Sequence, residues 1–373
     1  MRAAIYVHLP FCPYVCPYCD FAKWAYDGPA AQRYLAALEA EIEGAPQLAG
    51  STLFFGGGTP NTYAPAVLAG LVARLRARFG LAPETEISLE INPDRALCEG
   101  LEVWRAAGIN RLSIGVQSFV PGELRALGRR HKPADPGEVV RRARAAGFTN
   151  ISLDLMFGVP GQTQASWRES LDAALALDLE HISTYGLTIE AGTPYARWYA
   201  RDPAAFADNN READLYALAI ERLRAAGFEH YEISNFARPG YRCRHNETYW
   251  RNGSYLGLGV GAASYLEGVR FVHTRERESY VAAALAGQPI PGESEELGAA
   301  ARVGEAIMLA LRTSEGVDTR AFRERYGVDV RTHYRSTIEQ LEADGLLYAE
   351  EAFVRLTERG RFLANDVCAA FLE

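Results

Sequence analysis

The chain has 373 residues, 48% of them apolar and 23% charged, with a formal charge of -8 at neutral pH. It is long enough for one large barrel with a small appendage, or for two ordinary domains. It has no apolar run of bilayer-spanning length and no charged-then-apolar leader, and its negative balance argues against nucleic acid as an obligate partner.

The first informative element is an apolar run, Ala3 to Leu9, that reads as a strand. Directly after it, YVHLPFCPYVCPYCDF sets Cys12, Cys16 and Cys19 at CxxxCxxC spacing, with Pro13 and Pro17 keeping the loop out of helix. Three thiolates on one loop can hold three corners of a cubic 4Fe-4S cluster and leave one iron open for a ligand. Zinc with His8 as fourth ligand is the chemical rival. Six cysteines, half of them in this loop, suit a reducing, cytoplasmic setting better than a disulfide framework, leaving Cys98, Cys243 and Cys368 as free thiols.

Five further strands are expected, at Thr52 to Phe55, Glu86 to Ile91, Arg111 to Val116, Asn150 to Leu155 and His181 to Ile189. Helical spacing at Ala30 to Glu43, Pro65 to Phe79, Glu138 to Ala146 and Gln164 to Leu177 separates them. The pattern predicts an α/β fold, a partial, six-stranded parallel β/α barrel over residues 1–235. Several strands alternate: Ile5, Val7 and Leu9 oppose Tyr6 and His8, Ile87 and Leu89 oppose Ser88 and Glu90, and Leu153 opposes Ser152 and Asp154. With the apolar set on the helices, the interior is polar, which implies a bound polar ligand or an open barrel. An antiparallel sheet with one wet face is the alternative.

In such a fold the chemistry sits at the carboxyl ends of the strands. After the second strand comes Gly56-Gly57-Gly58-Thr59-Pro60, a turn without side-chain bulk that lets backbone approach a ligand, or else merely a tight strand-to-helix turn. Glu90, Gln117, Arg129 and Asp154 supply carboxylate, amide and guanidinium groups suited to ribose, adenine or carboxylate, although each type also serves in structural pairs.

The cysteine loop with GGGTP resembles the radical S-adenosylmethionine (SAM) superfamily, in which SAM chelates the fourth iron. LFFGGGTPNTY, SLEINPD, SIGVQSF, LDLMFGVPGQT and HISTYGLTIEAGTP are similar, in order, to the anaerobic coproporphyrinogen III dehydrogenase family. The resemblance implies SAM contacts at Tyr6, Tyr18, Gly57, Gly58, Thr59, Glu90, Gln117, Arg129 and Asp154, with Gly186 and Ala263 as looser matches. The dehydrogenase pattern carries another cysteine two residues after the last cluster ligand, where this chain has Phe21, and a long extension before the first strand. Both departures, and HNETYW at His245–Trp250, resemble the HemW-type heme chaperone branch. That branch implies delivery of heme to recipient respiratory proteins, and a flavodoxin- or ferredoxin-type electron donor. Oxidative decarboxylation of coproporphyrinogen III, or another porphyrin modification, is the alternative activity. His245 or Cys243 is the candidate heme ligand, and a histidine among aromatics is otherwise a packing residue.

Residues 236–294 are expected as a connecting segment carrying HNETYW, including the glycine-rich GLGVGAAS at 257–264. From about Glu295 the pattern runs three helices, short strands around Leu347 and Val354, and a last helix: a winged-helix-like α+β domain over 295–373. With ten arginines against fifteen acidic residues, this module suits a lid or docking surface better than DNA, and contact with a membrane surface is left open.

Overall fold

The computed structural model describes residues 1–372, so residue 373 at the end of the expected last domain lies outside the described residues. β1 (Arg2–Leu9) leads through a two-strand clip, β2 (Phe11–Cys12) beside β3 (Trp24–Ala25), into α1 (Gly28–Gly44). Then follow β4 (Ala49–Gly57), α2 (Pro65–Phe79), β5 (Ile87–Ile91), α3 (Leu101–Ala107), β6 (Arg111–Gln117), α4 (Pro121–Ala126), α5 (Asp135–Ala145), β7 (Ile151–Phe157), α6 (Gln164–Leu175), β8 (His181–Gly186), α7 (Pro194–Arg201) and α8 (Asn209–Ala225). All six expected strands form, and β1-β4-β5-β6-β7-β8 pair in that order, all parallel. The last ends at Gly186 rather than Ile189.

The helices start and stop where side chains satisfy their ends. The Asp27 carboxylate accepts from the Ala30 N–H at 2.9 Å to open α1, a Thr163/Ser166 capping box opens α6, and Gly80 closes α2 in the left-handed conformation. Their apolar stripes bury the odd-numbered face of β1 and its counterparts: Ile5, Val7, Leu9, Leu53, Phe55, Ile87, Leu89, Leu112, Ile114, Ile151, Leu153 and Leu155 share one core with Trp104 and Trp167. Truncating one such residue, Leu89 for example, costs about 2–5 kcal/mol.

A seventh parallel strand was not expected. After β9 (Glu229–His230), β10 (Asn235–Ala237) and α9 (Arg244–Trp250), β11 (Tyr255–Leu258) pairs with β1 on its free side, in register Ala4 to Tyr255. β12 (Ala263–Leu266), β13 (Val269–His273) and, beyond α10 (Arg277–Leu285), β14 (Gly292–Glu296) continue the sheet antiparallel. β10 and β9 extend the opposite edge. The stretch 236–294 is therefore woven into the twelve-stranded sheet, which stays open between β14 and β9.

The C-terminal part has its own core, built from Ile307, Leu311, Phe322, Val330, Ile338, Leu347, Val354 and Phe371 among others. α11 (Ala299–Leu311), β15 (Val317–Asp318), α12 (Thr319–Tyr326), α13 (Val330–His333), α14 (Arg335–Ala343), β16 (Leu347–Ala349), β17 (Phe353–Leu356), α15 (Glu358–Phe362) and α16 (Ala364–Ala369) make a small α+β unit around a three-stranded antiparallel sheet. No described helix is long and apolar enough to cross a membrane.

Candidate functional site

At the carboxyl ends of the parallel strands the chain leaves a narrow cleft of about 160 Å³. Cys12, Cys16, Cys19, Tyr18, Gly57, Gly58, Thr59, Glu90, Gln117, Arg129 and Asp154 all line it. Three other expected residues do not. Tyr6 lies deeper in the lumen, its hydroxyl 3.1 Å from His8 Nδ1 and its ring stacked on Phe54, and Gly186 and Ala263 stay outside the lining.

The cysteine loop is pinned at both ends. Trp24 N–H donates to Pro10 O and Tyr26 N–H to Cys12 O, while a turn between Cys16 O and Cys19 N–H folds the middle. Burial pushes the Cys12 thiol up to about 11, so a bare site holds a neutral thiol, and loading with cationic iron releases the proton. Among the described residues no three metal-ligating side chains converge on one point, as a single zinc would need, whereas thiolates of an iron cube bind separate irons. His8 is turned away, its Nε2 2.7 Å from Ala22 O, and burial lowers its pKa to about 4. Arg129 lies beside the loop, with Nη1 3.9 Å from Cys16 Sγ, and balances the negative charge a thiolate-ligated cluster brings. Its Nη2 donates to Asn92 Oδ1 and Gly115 O, while its buried Nε has no partner. This donor set fits a three-thiolate iron-sulfur cluster.

The glycine turn works through its carbonyls rather than its N–H groups. Gly58 N–H donates to Leu9 O at 2.9 Å, Thr59 N–H to Phe11 O at 3.0 Å and Gly57 N–H to Glu90 Oε2 at 3.3 Å, so the donors are spent within the protein. What remains to a ligand is a row of acceptors, suited to an ammonium group. A Cβ on Gly58 would come within 2.6 Å of the Pro10 carbonyl carbon, and Gly57 sits at φ +102° over the His8 ring. Glycine is thus required by close packing at both positions.

Two carboxyl groups face each other across the floor of the cleft. Burial, and then the charge of Asp154, push Glu90 up to about 8, and Asp154 is raised by its own burial against a hydrogen bond from Ser113 at 3.2 Å. Gln117 adopts φ +70° where the β6–β7 register slips, and this bulge aims its amide at Tyr185, whose hydroxyl donates to Oε1 at 2.7 Å.

Sequence reasoning missed Tyr14, Asn92 and Tyr185, which also line the cleft, whereas Ser113, on the polar face of β6, lines it as the strand alternation implies. The spacing of Asn92, two residues past Glu90, carried the signal. Its backbone N–H bonds Asn61 Oδ1 at 3.0 Å and its carbonyl accepts from Asn61 Nδ2 at 3.0 Å, locking together the loops after β4 and β5.

The HNETYW helix is elsewhere. α9 plugs the amino-terminal end of the lumen, opposite the cysteine loop, where the Glu86 carboxylate accepts from the backbone N–H groups of Arg244 at 3.2 Å and His245 at 3.1 Å. His245 is 1% exposed, with Nδ1 2.8 Å from Thr52 Oγ1, Nε2 2.8 Å from Tyr249 OH and its ring 5.0 Å from that of Phe54. Burial lowers its pKa to about 3 and raises that of the wholly buried Cys243 to about 12. Both residues expected as heme ligands are thus packed and satisfied. Iron could reach either only if α9 left the lumen floor.

Comparison with known proteins bears on the fold and the family. The radical SAM superfamily model matches residues 6–174 and the HemN C-terminal domain model residues 299–363. The heme chaperone HemW of Bacillus subtilis is 38% identical over 380 residues, covering 100% of this chain and 99% of that protein. The heme chaperone HemW of Escherichia coli is 32% identical over 381 residues, covering 99% and 98%. Among solved structures, coproporphyrinogen III oxidase (HemN) from Escherichia coli, described as a radical SAM enzyme, superposes with a TM-score of 0.86 at 25% identity, covering 100% of this chain and 90% of that one.

Proposed function

The chain belongs to the heme chaperone HemW family within the radical SAM superfamily, and from that premise we propose that it binds heme and passes it to recipient hemoproteins. A 4Fe-4S cluster on Cys12, Cys16 and Cys19, with SAM in the adjoining cleft, is its resident cofactor pair. When bound, these supply one-electron chemistry, with a flavodoxin- or ferredoxin-type donor in the cytoplasm as the electron source.

The protein's own groups prepare that cleft. The carbonyls after Gly57 receive the SAM amino group, Arg129 receives a carboxylate, and Glu90 and Asp154 receive ribose hydroxyls, while Tyr18 and Thr59 close the sides. The observation that carries the heme-chaperone reading is full-length likeness to proteins of that name, combined with Phe21 in place of a further cysteine. Phe21 is 67% exposed and lines the cleft mouth.

The fold likeness to coproporphyrinogen III oxidase keeps oxidative decarboxylation as the second reading. One anaerobic experiment separates them. The cluster-loaded chain is charged with hemin and mixed with an apo-hemoprotein, and in parallel is given coproporphyrinogen, SAM and a reductant. Heme appearing in the acceptor, without protoporphyrinogen in the parallel tube, supports the chaperone. Protoporphyrinogen formation with no heme transfer overturns it.

A further inference from the structure

If the chain carries heme, the iron needs a ligand that a bulky macrocycle can reach. Of the seven histidines, six (His8, His131, His181, His230, His245 and His273) are at most 8% exposed, in the lumen or the helix packing. Cys98, Cys243 and Cys368 are buried as well, and the other three cysteines belong to the cluster loop. His333, at the end of α13, is the one exposed imidazole among the described residues.

His333 lines a second cleft, between the β12–β13 hairpin of the large sheet and the C-terminal unit, of about 570 Å³ and open to solvent. Tyr265, Val303 and Tyr326 give it apolar and aromatic walls, and Arg302 and Arg325 give it two cations against a single carboxylate, Glu267. Arg325 is committed, donating from Nη1 to Arg251 O at 2.7 Å and from Nη2 to Asn252 O at 2.5 Å. The half-buried Arg302 guanidinium makes no hydrogen bond or ion pair among the described residues and lies over Gly268, where a Cβ would meet its Nη1 at 2.8 Å.

A flat apolar ring with carboxylate arms and a metal centre is the ligand these groups match: walls for the ring, an unpaired guanidinium for a propionate, an imidazole for iron. Resting on the heme-chaperone reading, we propose that heme seats in this inter-domain cleft, with His333 as axial ligand and Arg302 on a propionate. HNETYW then positions the seat rather than ligating. α9 runs from the lumen floor to the cleft, and Asn252, just past it, donates to Tyr326 OH at 3.4 Å and takes the Arg325 bond on its carbonyl.

The test is anaerobic hemin titration of the cluster-loaded full chain, read by Soret absorbance, for wild type, His333→Ala, Arg302→Ala and His245→Ala. His333 lies far from the cysteine loop in the chain's fold, so its truncation leaves the iron content unchanged, and because its ring packs on Tyr334 the melting temperature is recorded beside each titration. The expected result is at least about tenfold weaker binding in His333→Ala and Arg302→Ala, with added imidazole restoring the wild-type spectrum in His333→Ala only. Wild type that binds hemin while both variants bind it equally well overturns the seat and leaves the chaperone reading standing. Loss confined to His245→Ala, at an unchanged melting temperature, overturns the seat too. A wild type that takes up no hemin refutes the reading beneath it.

Discussion

Replacing Glu90 by Gln should flatten the pH dependence of stability in the cluster-free chain. Burial, and secondarily the neighbouring Asp154, push this carboxyl from 4.5 up to about 8, with the Gly57 N–H only partly offsetting the rise. Between those values the folded state keeps a proton that the unfolded chain has released, so stability is full below pH 4.5 and falls as pH rises toward 8. At about 1.4 kcal/mol per pH unit over this window the loss attributable to this one group is on the order of 5 kcal/mol. Glutamine keeps the acceptor for Gly57 and carries no titratable proton. Urea unfolding at about pH 5 and pH 8 is the assay, and Glu90→Gln should lose most of the decline that wild type shows. Equal slopes for both chains would refute the idea that Glu90 is held protonated in the empty cleft. A ligand whose hydroxyls donate to Glu90 favours the ionised form, so wild-type affinity for SAM should tighten as pH rises across the same window, and Glu90→Gln should lose that trend.

Cys19→Ser should leave the chain folded, since its thiol lies on a loop, yet abolish retention of four irons, read as iron and sulfide per chain. Gly58→Ala drives a Cβ into the Pro10 backbone, which should cost about 1–3 kcal/mol in melting experiments and lower iron retention with all three cysteines present. Glu86→Ala strips the acceptor from the start of α9 and the compensating charge from the buried Arg111, and should destabilise by about 2–4 kcal/mol. Thr52→Val removes only the bond to His245 Nδ1 and should cost about 1 kcal/mol, separating the packing role of that imidazole from any role in heme uptake.

What the sequence made legible was local. Three cysteines within eight residues, six strands, several with period-two alternation, and glycine between strand and helix state their environment through near neighbours, and the structure assembles them at one mouth. The seventh strand escaped because Tyr255–Leu258 is four residues long, contains a glycine, and is defined by a partner some 250 positions away. The role of α9 escaped for a related reason. HNETYW presents histidine and aromatics whether they grip a ligand or fill a lumen, and only Thr52 and Glu86, from distant strand ends, show that this helix is a plug. Tyr6 was read by motif as a ligand contact, but its position in β1 places it below the cleft floor, against Phe54. His333 carried no motif at all, and its exposure is a property of the folded surface.

The most direct test of the account is iron and sulfide analysis with electron paramagnetic resonance of the anaerobically reconstituted, reduced chain, before and after adding SAM. The account predicts four irons per chain on Cys12, Cys16 and Cys19 and a cluster signal that changes when SAM occupies the open iron. Stoichiometric zinc without iron, or a cluster signal indifferent to SAM, would contradict it.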